Sequence, residues 1–149
     1  MAGVVLALFY LAQDAAGLPW EWLQRMQAVD GFKYATGACL LIYVGWQWRL
    51  FITRVRRKKG SRLMMALHQR SGALAPVLFY LHSVEAGYGY LAVLSWVLLA
   101  NVVVGAASPA GPLNRGRCYT LSWGTVHVLL AVLTVVLGVF HAYIALYYK

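Results

Sequence analysis

The chain has 149 residues, of which 62% are hydrophobic and 11% charged, and its mean hydropathy is +0.65. Soluble domains carry about a quarter charged residues, so this composition argues against a soluble helical bundle, whose helices need polar outer faces, and the length leaves room for one domain. The net charge of +9 does not indicate nucleic acid: ten of the thirteen Lys and Arg lie between Arg49 and Arg70 or at Arg115 and Arg117, while all four acids fall in other segments.

Met1 to Gln13 are apolar but too few to span a bilayer. After the break at Asp14 to Pro19, Trp20, Trp22, Leu23 and Met26 alternate with Glu21 and Arg25. This pattern suits an interfacial helix with its indoles at headgroup level, or an irregular arm resting on the bundle or on a partner subunit. Residues 1–30 are therefore expected as an N-terminal arm, and residues 31–149 as a four-helix transmembrane bundle. The expected fold class is an all-α membrane protein.

Helix A is predicted from about Gly31 to Arg54, followed by a basic loop through Arg62. Helix B, about Arg62 to Glu85, is the most polar of the four and contains Pro76, which removes a backbone donor and predicts a kink. Gly87-Tyr88-Gly89-Tyr90 predicts a tight turn into helix C, which ends near Ala107 before Ser108-Pro109-Ala110-Gly111-Pro112. A second basic loop, Asn114 to Cys118, leads into helix D, about Tyr119 to Tyr148. With both basic loops placed in the cytoplasm, the start of helix A, the B–C turn and Lys149 lie outside, together with all four acids. A bacterial inner (cytoplasmic) membrane is the expected location. Cys39 and Cys118 belong to no CxxCH motif, and no disulfide between them is expected.

The sequence has four histidines: His68 and His82 in helix B and His127 and His141 in helix D, each pair fourteen residues apart. Fourteen residues of helix rise about 21 Å and turn nearly four full turns, which places two imidazoles on almost one face, at two depths in a membrane. Because helix C separates them, B and D run parallel, so His68 should face His127 and His82 should face His141. Paired imidazoles suit the two axial positions of a haem iron, so the four histidines are the expected metal ligands of two haem b groups. Two other readings of intramembrane histidines compete with this one. A proton relay normally includes carboxylates, and none lies in the middle of any predicted span. A zinc or copper site would need further ligands. Gly31 and Gly45 in helix A are also fourteen apart, and Gly72, Gly124 and Gly138 lie in the ligand helices, where small residues allow close approach.

The His-x13-His spacing in helices B and D resembles the N-terminal four-helix bundle of the cytochrome b of quinol–cytochrome c oxidoreductases. The wording Leu67-His68-Gln69-Arg70-Ser71-Gly72-Ala73-Leu74 through Leu81-His82 is similar to the ferric-reductase-like transmembrane family. In both families a bis-histidine ladder carries electrons across a membrane between two b haems. The resemblance covers about Gly31 to Lys149. The chain departs from both patterns: it stops after helix D, has four predicted spans where ferric reductases usually have six, and lacks a flavin or nicotinamide domain.

These features predict an electron-transfer subunit of an oxidoreductase complex rather than a stand-alone enzyme, with no catalytic residue assigned. It would carry electrons between a quinone or cytoplasmic donor and a redox partner such as a c-type cytochrome or an iron–sulfur protein. The competing classes are a small transmembrane ferric or quinone reductase and a non-redox structural or transport subunit. Haem propionates are expected to meet Arg62, Arg70 or Arg117 at one end and Lys33, Tyr88 or Tyr90 at the other, although simple snorkelling of the basic residues is an equally good account. Thr125, Ser71, Ser83 and helix carbonyls are the expected partners for the second imidazole nitrogens.

Overall fold

The computed structural model describes residues 2–18, 20–56, 61–109 and 116–148, with the side chains of residues 61 and 62 excepted. Among the described residues the chain is all-helical: α1 Ala2–Ala16, α2 Glu21–Gln27, α3 Asp30–Gln47, α4 Arg49–Val55, α5 Ser61–Gly72, α6 Ala75–His82, α7 Tyr90–Ala106 and α8 Arg117–Tyr147. Helix A corresponds to α3 with α4, helix B to α5 with α6, helix C to α7 and helix D to α8.

The four expected spans do not all form as continuous rods. Only α8, 31 residues long, is by itself long and apolar enough to cross a membrane among the described residues. Helix A is interrupted at Trp48. Helix B breaks at Ala73 and Leu74, immediately before Pro76, which sits in the first turn of α6 and is fully buried. This is where the missing N–H of proline is harmless, since the first turn of a helix has no intrahelical acceptor for it. Helix C has 17 residues, and the expected turn before it is present, with Gly87 (φ +76°) and Gly89 (φ +59°) in the left-handed region that a side chain resists.

The packing closes a ring. Helix A contacts helix B through α3 with α5 and α6 and through α4 with α5, and it contacts helix D through α3 with α8. Helix C contacts helix B through α7 with α5 and α6, and makes its most extensive contact with α8. Helices B and D, the two that carry histidines, thus stand across the bundle from each other.

The N-terminal helix lies on this ring, not beside it. α1 packs against α6 and α7, burying Ala7 and Tyr10 with Phe79, Leu98 and Leu99. The Tyr10 ring centre is 5.1 Å from that of Phe79 and 5.9 Å from that of Tyr80. The helix starts against the break in helix B: a Cβ on Gly3 would stand 3.0 Å from the Ala73 Cα, so glycine is what permits the approach. At its other end the Gln13 amide bonds the Tyr80 hydroxyl, and the Asp14 carboxylate accepts from the Ala86 N–H.

α2 then leaves at 94° to α1, with Trp20 and Trp22 exposed. Its Gln27 is buried and turns back onto helix B. The Gln27 amide nitrogen donates to the carbonyls of Tyr80 and Leu81 (3.0 and 3.1 Å), and its oxygen accepts from the Val84 N–H (3.2 Å). One side chain thereby satisfies the unpaired carbonyls that the C-terminus of α6 would otherwise leave.

Candidate functional site

The ring geometry brings the four histidines together as two facing pairs. His68 of α5 stands opposite His127 of α8 with ring centres 6.0 Å apart and planes at 82°. His82 of α6 stands opposite His141 of α8 at 6.1 Å and 67°. Because α8 is unbroken, the fourteen-residue spacing of its two histidines separates the pairs by about 21 Å. The first pair lies toward the end that carries Arg54, Arg56 and Arg117, and the second toward the end that carries Asp30 and Glu85; they are named the basic-end and acidic-end pairs.

The separation within each pair has a chemical meaning. With a metal–nitrogen bond of about 2.0 Å and a ring centre roughly 1.1 Å behind the nitrogen, two imidazoles on opposite sides of one iron have centres about 6.2 Å apart. Both pairs stand at that separation. Among the described residues no group of three or more His, Cys, Asp or Glu comes together, so the donor set offers two ligands per site. Two is too few for the four-coordinate zinc sites that proteins build from side chains. It is the number needed when a macrocycle supplies the remaining four donors.

A cavity of about 480 Å³ surrounds the basic-end pair, within the ~300–1,000 Å³ of typical ligand pockets. Its lining includes His68, His127, Asn101 and Gln47, with Trp123 and Arg54. Four buried polar atoms without a hydrogen-bond partner meet here: His68 Nδ1, His127 Nδ1, Gln47 Oε1 and Asn101 Oδ1. Buried polar groups are normally paired, so this concentration of orphans marks a place built around something. The backbones of Gln47 and Asn101 lie beside the His68 and His127 rings respectively, although neither Nδ1 makes a well-formed hydrogen bond.

Comparison with protein-family models, with curated proteins and with solved structures finds no match for this chain.

Two glycines hold histidine rings close. A Cβ on Gly37 of α3 would meet the His82 Cε1 at 3.0 Å, and one on Gly105 of α7 would meet the His127 Cε1 at 3.1 Å. Neither stands out in the sequence. Gly31 and Gly45, which do share the fourteen-residue spacing, are exposed and face open space. Gly72 and Gly124 also have nothing within 4 Å of an added Cβ, but both line the basic-end cavity.

The ring partners also differ from those expected. Ser71 donates to the Leu67 carbonyl (2.6 Å) and accepts from the Gln47 amide (2.9 Å); Ser83 donates to the Glu85 carbonyl (2.7 Å); Thr125 is exposed. None of the three orients an imidazole. At the acidic end Thr36 Oγ1 lies 3.2 Å from His82 Nδ1, and the Tyr90 hydroxyl lies 3.5 Å from His141 Nδ1. At the basic end Trp123, one turn before His127, stacks on its ring at 5.4 Å and 14°, and is held there by donating its indole N–H to the Val104 carbonyl at 2.7 Å.

The basic residues separate in the same way. Arg70 and Arg117 are exposed and outside the cavity lining, and the Arg62 side chain lies outside the described residues. Arg54 lines the cavity instead, with a guanidinium nitrogen 3.9 Å from the Met65 sulfur and its charge within reach of His68. Lys33 is exposed but lies within electrostatic reach of His82. Tyr88 is fully solvent-facing, at 87% exposure.

Proposed function

We propose that this chain is a di-haem cytochrome b of a membrane: an electron-carrying four-helix transmembrane bundle similar to the cytochrome b and ferric-reductase-like families. The observation that carries the reading is the pair of facing histidine couples at 6.0 and 6.1 Å, contributed by helices that stand across the bundle from each other. His68 with His127 and His82 with His141 would hold the two haems. Haem so held supplies one-electron chemistry, and bis-imidazole ligation leaves no open iron position for oxygen.

The other residues act on their own account. Gly37 and Gly105 admit the His82 and His127 rings against α3 and α7. Trp123 holds the His127 plane. Arg54 presents a positive charge at the basic-end cavity, suited to a propionate. The apolar outer face of α8, with Leu129, Val136 and Val139 all more than half exposed, supports a lipid surround. So does the crosswise α2, whose exposed Trp20 and Trp22 suit the headgroup layer. The basic segments would then face the cytoplasm of a bacterial inner membrane, with a quinone or cytoplasmic donor on that side. A further subunit such as a c-type cytochrome or an iron–sulfur protein would take or give electrons on the other.

The test is cofactor content. Protein produced with ample haem should carry two non-covalent b haems per chain, both low-spin in absorption and electron paramagnetic resonance spectra. A ratio near zero would remove the proposal, and a ratio near one would remove the relay.

A further inference from the structure

The two nitrogens of His82 are not equivalent, and a residue of the neighbouring helix makes the distinction. Thr36 of α3 has one hydroxyl proton, and its Oγ1 lies 2.8 Å from the Phe32 carbonyl and 3.2 Å from the Lys33 carbonyl, the back-bond a helical threonine makes to the preceding turn. With its proton committed there, the hydroxyl oxygen has only lone pairs to offer His82 Nδ1 at 3.2 Å. The Lys33 carbonyl, also near this ring, is an acceptor too and is itself engaged by Thr36. The two acceptors that α3 brings to this ring, the Thr36 hydroxyl oxygen and the Lys33 carbonyl, therefore both call for a proton on Nδ1. The adjacent Gly37 allows the ring to lie against α3, since a Cβ there would stand 3.0 Å from Cε1.

We propose that Thr36 is a positioning residue for the acidic-end site: by accepting from His82 Nδ1–H it holds His82 in the tautomer whose Nε2 lone pair is free for a metal, and fixes the plane of the ring. This rests on the acidic-end pair being a ligand pair, but the tautomer is a property of the chain itself. A hydrogen bond accepted from the outer nitrogen also makes an imidazole a stronger donor to the metal, so Thr36 should lower the potential of an iron held there.

The experiment has two readings on the full chain in detergent micelles. The first is the nitrogen spectrum of ¹⁵N-histidine-labelled protein prepared without haem, with the His82 signals identified by their loss in His82→Gln. We expect Nδ1 protonated and Nε2 bare, in the parent and in Thr36→Ser alike; Nε2 protonated with Nδ1 bare would overturn the proposal. The second is a redox titration of the haem-loaded chain. Thr36→Val should move the acidic-end midpoint to more positive potential, or cost that haem alone, with the basic-end midpoint unmoved and Thr36→Ser at parental values. Parental potentials and full haem content in Thr36→Val would also overturn it. A parent that takes up no haem would defeat the cytochrome reading, and the nitrogen spectrum would still decide the tautomer.

Discussion

Single atoms decide how close an imidazole can come to a helix. At Gly37 and Gly105 the space a Cβ would need is already taken by the His82 and His127 rings, at 3.0 and 3.1 Å. Gly105→Leu should therefore displace His127 and lower bound haem from two to one per chain, leaving the His82–His141 site loaded. Gly37→Leu should do the converse. Gly45→Leu is the control: its position is exposed with nothing within 4 Å, and haem content should stay at two. The measurement is haem per protein by pyridine haemochrome assay, with potentials showing which site is lost. Equal loss in all three variants would mean that helix packing, not ring clearance, sets occupancy. Sequence spacing points to Gly31 and Gly45, whereas the rings meet Gly37 and Gly105. Which glycine faces a ring depends on the rotation of α3 and α7 about their own axes, and spacing along one helix carries no information about that rotation.

At the scale of elements, α6 is a helix of 8 residues ending at His82, one of the proposed ligands. A helix this short has little stability of its own, because nucleation is costly and few bonds follow it. Its C-terminus is held from outside by Gln27, which bonds the carbonyls of Tyr80 and Leu81 and the buried N–H of Val84. Gln27→Leu would leave those groups unpaired. With the Val84 N–H buried and the two carbonyls part-buried, at about 1–3 kcal/mol for a buried group so stranded the variant should lose at least about 1 kcal/mol of stability, read as a lower thermal unfolding midpoint in detergent. Its haem loss should begin at the acidic end. Gln27→Glu, which keeps the acceptor for Val84 but gives up the donor, should fall between the two. An unfolding midpoint at the parental value in Gln27→Leu would mean that water replaces the cap without cost. Helix B was partly legible in advance: Pro76 marks its break, as its missing N–H requires, while the cap is a contact between residues more than fifty positions apart that no local pattern encodes.

For the whole molecule, topology and electron transfer are linked. The segment Arg54 to Arg62 and the loop around Arg115 should share one side of the membrane, with Lys149 on the other. Reporter fusions at Gly60 and Lys149 check this, and finding both on one side would mean an even number of crossings in a segment read here as three. The proposed relay rests on the pairing. His82→Ala should deplete the acidic-end haem, keep most of the basic-end one, and abolish transfer from a reductant trapped in vesicles to an acceptor outside. His68→Ala should remove the basic-end haem, spare the other, and break the relay equally. Irons about 21 Å apart leave no useful route between the two ends once either centre is gone, so parental transfer in either variant would refute the relay as the function.

What the amino-acid sequence determined by itself was periodic and local. The helical class follows from the apolar runs, the turn before helix C from Gly87 and Gly89, and the break in helix B from Pro76. The face-to-face arrangement of the histidines could be argued from equal spacings on two helices separated by a third. These are consequences of a fixed rise and turn per residue and of backbone sterics, which act on neighbours along the chain. Tertiary structure decided the rest. It docked α1 on α6 and α7 through Gly3, Ala7 and Tyr10. It put Arg54 rather than Arg70 or Arg117 at the cavity, and gave the His82 ring to Thr36 rather than to a serine of its own helix. It also interrupted helices A and B, leaving α8 as the one uninterrupted helix among those described that is long and apolar enough to cross a membrane. Each of these outcomes turns on how helices rotate and cross when their side chains compete for one interior. That competition is settled between distant parts of the chain, by close packing and by the cost of leaving a buried polar group unpaired.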